Sequence, residues 1–191
     1  MHELVKRNYQ SILLSLSWME VCDAEGWTPL ASAAINNNGD LCEFLVESGC
    51  TIFLGTNQKE RLKPKLLNRI HDAARDGHET ALQLLLDMGA DINERNSVGK
   101  TALLEAIYYN LISCVKILIQ RGADATISSH NRTALHCAVF ACNEQIMKFL
   151  LDSAVETRRL VDAEDSSGDI AIHNCAYVGS ATAVAKSEML L

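Results

Sequence analysis

The chain repeats itself, and no other feature constrains its fold as much. "GWTPLASAAINNNGDLCEFLVESGC" (26–50), "GKTALLEAIYYNLISCVKILIQRGA" (99–123) and "NRTALHCAVFACNEQIMKFLLDSA" (131–154) align on a threonine, a small residue and then a leucine. "RIHDAARDGHETALQLLLDMGADIN" (69–93) fits the same frame without its opening turn, and "GDIAIHNCAYVGSATAVA" (168–185) fits its first half. Gly89 and Gly122 stand 33 residues apart and Thr101 and Thr133 stand 32 apart, while Gly49 and Gly89 are separated by 40 because of an insertion. A fixed period of this size means stacked supersecondary units.

Within each unit the pattern predicts two short helices. Ala81, Leu84, Leu85 and Met88 recur at helical spacing before Gly89, and Val115, Leu118 and Ile119 do so before Gly122, each glycine supplying a left-handed C-cap. Helices this short are marginal alone, so each pair must bury its apolar face against the next. Small residues at Ala33, Ala73, Ala106, Ala138 and Ala176 are expected at the inner contact, where a larger side chain would force neighbouring pairs apart at a cost of about 1–3 kcal/mol. Leu30, Leu103, Leu135 and Ile172 are expected to fill the space beside them. Asn131 stands where a turn glycine is expected and is the next-best residue for positive φ.

A period near 33 with a turn and two helices resembles the ankyrin repeat, whose signature is T-P-L-H-x-A. Thr28-Pro29-Leu30 keeps the front of that signature and Leu135-His136-Cys137-Ala138 the back. The resemblance covers residues 23–185 and implies an all-α ankyrin-repeat solenoid of stacked helix-turn-helix units with short hairpin loops. About five degenerate repeats are expected, at 23–50, 63–95, 96–127, 128–160 and 165–185, with an insertion at 51–62. Residues 1–22 read as an N-terminal capping helix or the remnant of a preceding repeat, on the pattern Leu4, Tyr9, Ile12, Leu13, Leu16 and Met19, and 186–191 as a tail. "VETRRL" (155–160) reads as a lengthened turn after the fourth repeat.

The resemblance also implies a function, non-catalytic protein binding through a concave face made of first helices and hairpin tips. Carried over position by position, the contact residues are Trp27, Ile35 and Asn36 in the first repeat and Arg75 and Asp76 in the second. Lys100, Tyr108 and Tyr109 follow in the third, His130, Arg132, Phe140 and Ala141 in the fourth, and Asp169, Tyr177 and Val178 in the fifth. Of 10 aromatic residues in the chain, 5 fall in this set, and aromatics with arginine are the residues that anchor interfaces. Adjacent helical residues point about 100° apart, so Tyr108 and Tyr109 cannot share one buried stripe. At the end of a first helix one ring can pack while its neighbour looks into the groove. Exposure is expected for Tyr109 and Tyr177, while Tyr108 and Phe140 are open between packing and exposure.

Catalysis finds no foothold. No GxxxxGK[ST], GxSxG, HExxH or GxGxxG pattern occurs, and the chain is read as neither an enzyme nor a cofactor protein. His136, Cys137, Cys142, His173 and Cys175 are the best candidate metal ligands, but they lack closely paired spacing, so no metal site is expected. The resemblance gives His136 and His173 a hydrogen-bonding role in the turns instead. A Cys–His nucleophile pair would lack an orienting third group. Asn93 occupies the turn where ankyrin-family asparagines can be hydroxylated, with a plain turn hydrogen bond as the alternative.

Charge and cysteines bound the setting. A net charge of −7 argues against nucleic acid as a partner, although Lys59, Arg61, Lys63, Lys65 and Arg69 make a basic stretch. That stretch is read as a solvated loop running into a helix near Pro64, with a phosphate or acidic contact as the alternative. Seven cysteines without a CxxC pair, and no leader pattern, place the chain in a reducing interior, cytoplasmic or nuclear. No apolar run reaches the 18 or so residues of a membrane span, and a monomer is expected. Two readings stand beside protein binding: a regulatory or docking segment of a larger enzyme, channel or effector, and a thiol- or metal-based sensor.

Overall fold

The computed structural model describes residues 22, 27–50, 52, 66, 68–153 and 157–177. Helices alternate with turns in pairs: α1 Pro29–Ile35 with α2 Gly39–Glu47, α3 Arg69–Asp76 with α4 Glu79–Asp87, α5 Ala102–Tyr108 with α6 Ile112–Gln120, and α7 Ala134–Phe140 with α8 Glu144–Ser153. A short helix α9 Thr157–Val161 and a first helix α10 Ala171–Tyr177 complete the order. Among the described residues there is no strand, only isolated bridges between Ser129 and Arg132 and between Glu164 and Ile170.

The first helices α3, α5, α7 and α10 pack successively, and the second helices α4, α6 and α8 form the layer behind them. The first pair joins differently, since α1 and α2 both pack on α4. Thr28 and Thr101 cap α1 and α5 by accepting from the amides of Ala31 and Leu104, at 3.2 and 3.4 Å. Gly89 and Gly122, with φ of 95° and 89°, end α4 and α6 as expected. The amides of Ala90 and Ala123 then reach back to the carbonyls of Leu85 and Leu118.

Alanines 33, 73, 106 and 138 are buried, with Leu30, Leu103 and Leu135 beside them. In α10 the expectation slips by one residue: Cys175 is buried where Ala176 was expected, Ala176 is exposed, and Ile172 is only half-buried. Counting from the buried threonines explains the slip, because Cys175 is the residue that stands five after Ile170, as Ala138 stands five after Thr133. Residues 157–161 are also more than a lengthened turn, for they form α9, whose Leu160 is fully buried against α7 and α8. The capping segment 1–22 lies, apart from Cys22, outside the described residues, as do residues 178–191 and all of 51–67 except Ile52 and Leu66.

Candidate interaction surface

The side chains that shape the candidate surface are set by the hairpins between repeats. In the third repeat Asn96 accepts from the amides of Val98 and Lys100, both at 3.0 Å, and so fixes where Lys100 leaves the turn. In the fourth, Ser129 and Arg132 exchange two backbone hydrogen bonds of 3.0 Å around His130 and Asn131, whose φ values are 52° and 59°. Two successive residues with positive φ make the tight hairpin turn that matches strand twist. Asn131 behaves as the sequence suggests; His130 does so without a residue type that announces it.

Buried histidines hold the hairpins of the third and fifth repeats from below. His136 Nδ1 pairs with the Thr133 hydroxyl at 2.9 Å and its Nε2 donates to the carbonyl of Asp169 at 3.1 Å, so both ring nitrogens are engaged. His71 takes the same place in the second repeat, its Nε2 donating to the carbonyls of Glu94 and Lys100 at 3.0 and 3.1 Å. Among the described residues its Nδ1 has no partner, because the position of the threonine is taken by Asn68, which is turned out in a left-handed conformation with φ 64°. His173 departs from the expected role, being exposed with its ring 3.3 Å from the Asp169 carboxylate.

Above this scaffold two cations stand over two rings in successive repeats. Lys100 Nζ lies 4.4 Å from the Tyr108 ring centroid, and the Arg132 guanidinium 4.5 Å from that of Phe140. Tyr108 and Tyr109 meet edge to face, with centroids 5.2 Å apart. All three rings are open to solvent, Tyr108 by 66%, Tyr109 by 47% and Phe140 by 41%. Tyr109 is exposed as expected, and Tyr108, for which packing and exposure were both open, does not pack: it is the last residue of α5, with Tyr109 as C-cap, and the more exposed ring of the two. In the second repeat Arg75 bonds Asp76 and Asp72, both at 3.1 Å. The Asp76 hydrogen bond raises the Arg75 pKa, with Asp72 and then the Tyr109 phenol acting in the same sense, so Arg75 and Tyr109 are electrostatic neighbours.

Other expected contact residues lie elsewhere. Trp27 is 9% exposed and belongs to the core, which removes it from the surface: burying so large a ring recovers more free energy than exposing it at a hairpin. Ile35 is half-buried against the core, and the exposed Asn36 spends its side chain on the carbonyl of Ser32. Ala141 is half-buried at the end of α7, and the side chain of Tyr177 and all of Val178 lie outside the described residues. Of the basic stretch only Arg69 is described, 3.9 Å from Asp72.

Two side chains beneath this surface have a place that the sequence reading did not give them, Glu105, which it did not single out, and Cys137, which it named only as a candidate metal ligand. Glu105 is buried in α5, accepts from Asn96 Nδ2 at 3.0 Å and stands 3.6 Å from Lys100, so it anchors both hairpin and cation. A carboxylate inside an apolar helix, four residues after the capping threonine, was the available signal. Cys137 is half-buried in α7. Burial raises its pKa, against the smaller opposing effects of the Arg132 and then the Lys100 charge. Cys42 and Cys114 are buried deeper and pushed up to about 11, chiefly by desolvation, which leaves them unreactive near neutral pH. Among the described residues no three His, Cys, Asp or Glu side chains are arranged to hold a metal ion. No described helix is long and apolar enough to cross a membrane.

Comparison with known proteins agrees with this architecture. The family described as "Ankyrin repeats (3 copies)" matches residues 70–159, and "Ankyrin repeat" matches residues 25–53. The chain belongs to the ankyrin-repeat family. Among its ankyrin-repeat relatives, a transient receptor potential cation channel subfamily A member 1 homolog of Caenorhabditis elegans is 35% identical over 105 residues, 55% of this chain and 9% of the relative. Human SH3 and multiple ankyrin repeat domains protein 2 is 32% identical over 131 residues, 67% of this chain and 7% of the relative. Arabidopsis thaliana E3 ubiquitin-protein ligase XBAT33 is 32% identical over 141 residues, 73% of this chain and 26% of the relative. The chain thus spans only a small part of the length of these relatives. Ankyrin repeats are in general non-catalytic protein-interaction modules, here found within larger channels, scaffolds and ligases.

Proposed function

We propose that this ankyrin-repeat chain is an intracellular, monomeric protein-binding module that meets its partner on the side formed by first helices and hairpins, across repeats two to four. The observation that carries the reading is the cluster of three exposed rings, Tyr108, Tyr109 and Phe140, in company with Lys100, Arg132 and Arg75. Exposed rings offer large rigid area, and their hairpin and helix supports are already ordered, so binding costs little conformational entropy. His130, Asp76 and Asp169 lie at the margin of this area, Asp169 with a side chain 25% exposed.

Affinity capture from a native extract tests the proposal, comparing wild type with a Tyr109→Ala, Arg132→Glu double variant of unchanged helical content. Loss of specific partners is expected; an unchanged partner set would move the interface off this face. A second reading, a regulatory segment of a larger protein, is favoured by the 9% and 7% of the channel and scaffold relatives that the chain covers. Sequencing the complete transcript tests it, since an open frame running beyond these 191 residues into another domain is its direct consequence.

A further inference from the structure

Lys100 and Arg132 take the same hairpin position in successive repeats, and Tyr108 and Phe140 the same position at the ends of α5 and α7. The two cations differ in what else they touch. Lys100 is shared with Glu105 at 3.6 Å, whereas Arg132 has no ion pair with a carboxylate among the described residues. That sets it apart from Arg69, Arg75 and Arg121, each of which has one. Arg95 also lacks a carboxylate partner, but its guanidinium is bonded to the carbonyls of Gly99 and Ser128, whereas the Arg132 guanidinium has no hydrogen bond among the described residues.

Stacking explains why that matters. A guanidinium over an aromatic face has one side covered and its stem restrained, while the N–H edge stays available for two parallel bonds to a carboxylate. Restraint before binding reduces the rotamer entropy lost when the carboxylate arrives. The helices that carry the two rings, α5 and α7, pack directly on one another, so the two pairs lie on neighbouring repeats of one surface.

We propose that the partner segment received here is extended and acidic, with one carboxylate bidentate on Arg132 over Phe140 and a second near Lys100 over Tyr108. The proposal rests on the reading of this face as a protein-binding surface and adds the chemistry of what binds. First helices in contact lie about 8–10 Å apart, and an extended chain advances about 3.3 Å per residue, so the two acidic residues stand about three apart. Asp76 in the second repeat and Asp169 in the fifth bound the patch with like charge, which confines the acidic part of the segment to repeats three and four. The open edges of Tyr108 and Phe140 provide apolar area between the two charges.

The test is selection of a phage-displayed random peptide library on the immobilised 191-residue chain, followed by fluorescence polarisation with the selected peptides. Paired Asp or Glu residues are expected among them, with affinity that falls as salt rises. Arg132→Gln is expected to weaken binding about 10-fold or more, and Arg132→Lys less, because it keeps the charge and loses the fork. Phe140→Leu, which removes the ring and leaves the arginine, is an independent variant of the same pair and is expected to weaken binding as well. Selected peptides without acidic residues, or bound equally by wild type and Arg132→Gln, overturn the inference. If such peptides still lose affinity in Tyr108→Ala or Tyr109→Ala, the protein-binding face stands; if they do not, that reading falls too. Failure to select any peptide overturns the inference, since a linear acidic segment is what it requires.

Discussion

The Arg132 guanidinium lies 4.5 Å over the Phe140 ring, and one repeat earlier Lys100 stands in the same relation to Tyr108 at 4.4 Å. Each ring is held by a cation from its own hairpin and still faces solvent, so the pairs contribute more to the surface than to the fold. Tyr108→Ala and Phe140→Ala are expected to cost no more than about 1 kcal/mol each, the value of an exposed cation–π contact. Leu103→Ala and Leu135→Ala, which empty fully packed sites in the same two helices, are expected to cost about 2–5 kcal/mol. Urea unfolding of the four variants measures the contrast; equal losses would mean that the rings are structural.

Cys142 holds a left-handed backbone with φ 55° at the turn between α7 and α8. The other repeats place Asn37, Gly77 and Asn110 there, at φ of 54°, 79° and 62°. A residue with a β-substituent and no compensating local hydrogen bond costs about 1–2 kcal/mol in that region. Cys142→Asn is therefore expected to stabilise the chain by up to about 1 kcal/mol, raising the thermal midpoint. A lowered midpoint would show that the thiol makes a contribution that outweighs the backbone strain.

Gly39 opens α2 because no side chain fits there. A Cβ at that position would lie 2.6 Å from Cδ2 and 2.7 Å from Cγ of His78. The ring cannot swing away freely, since its Nδ1 donates to Asn37 Oδ1 at 2.9 Å. Gly39→Ala is expected to destabilise by about 1–3 kcal/mol, overriding a gain in helix propensity of about 1 kcal/mol. A double variant with His78→Ala should recover part of the loss, and strictly additive effects in that cycle would rule out the contact as the cause.

Asp165 links this fold to pH. Its carboxylate accepts from the amides of Ser167 and Asp169 at 2.8 and 3.2 Å, and these bonds, with that from Asn174, hold its pKa below 3.8 despite the desolvation that opposes them. With the folded pKa depressed, its contribution is present above pH 3.8 and is lost as the pH falls through the depressed value. Asn96 makes the same two backbone bonds in the third repeat with an amide oxygen. Asp165→Asn keeps the two amide bonds but turns an NH2 group toward the Asn174 donor and loses the charge, so it is expected to be less stable than wild type near pH 7 and to lose less stability as the pH falls below 3.8. Parallel curves of thermal midpoint against pH for the two proteins would contradict this.

The repeat frame was legible because its causes are local. Thr28 and Thr101 cap helices within three residues of themselves, Gly89 and Gly122 stop them, and alanines at 33, 73, 106 and 138 mark where backbones approach. Asn93, read as either a modification site or a turn residue, accepts from the amide of Asp124 at 2.9 Å, a bond that ties adjacent hairpins. The candidate surface was legible only in part. Position in the repeat located Lys100, Tyr108, Tyr109, Arg132 and Phe140 but misplaced Trp27, whose ring the core absorbs. That the Nδ1 of His71 has no partner among the described residues could not be read either, because it follows from the turned-out backbone of Asn68 rather than from the histidine itself.

By itself the sequence determined the ankyrin-repeat period, the helix boundaries set by caps and glycines, and the small residues of the inner contact, since each depends on backbone conformation within a few residues. Only the tertiary structure decided that both Tyr108 and Tyr109 are exposed, that Trp27 is not, and that Lys100 and Arg132 close over rings eight residues onward in their own repeats. The physical reason is that burial and cation–ring geometry depend on how far a hairpin folds back over its helix and on which neighbour, some 33 residues away, covers the rest. Periodicity along the chain carries no record of either distance.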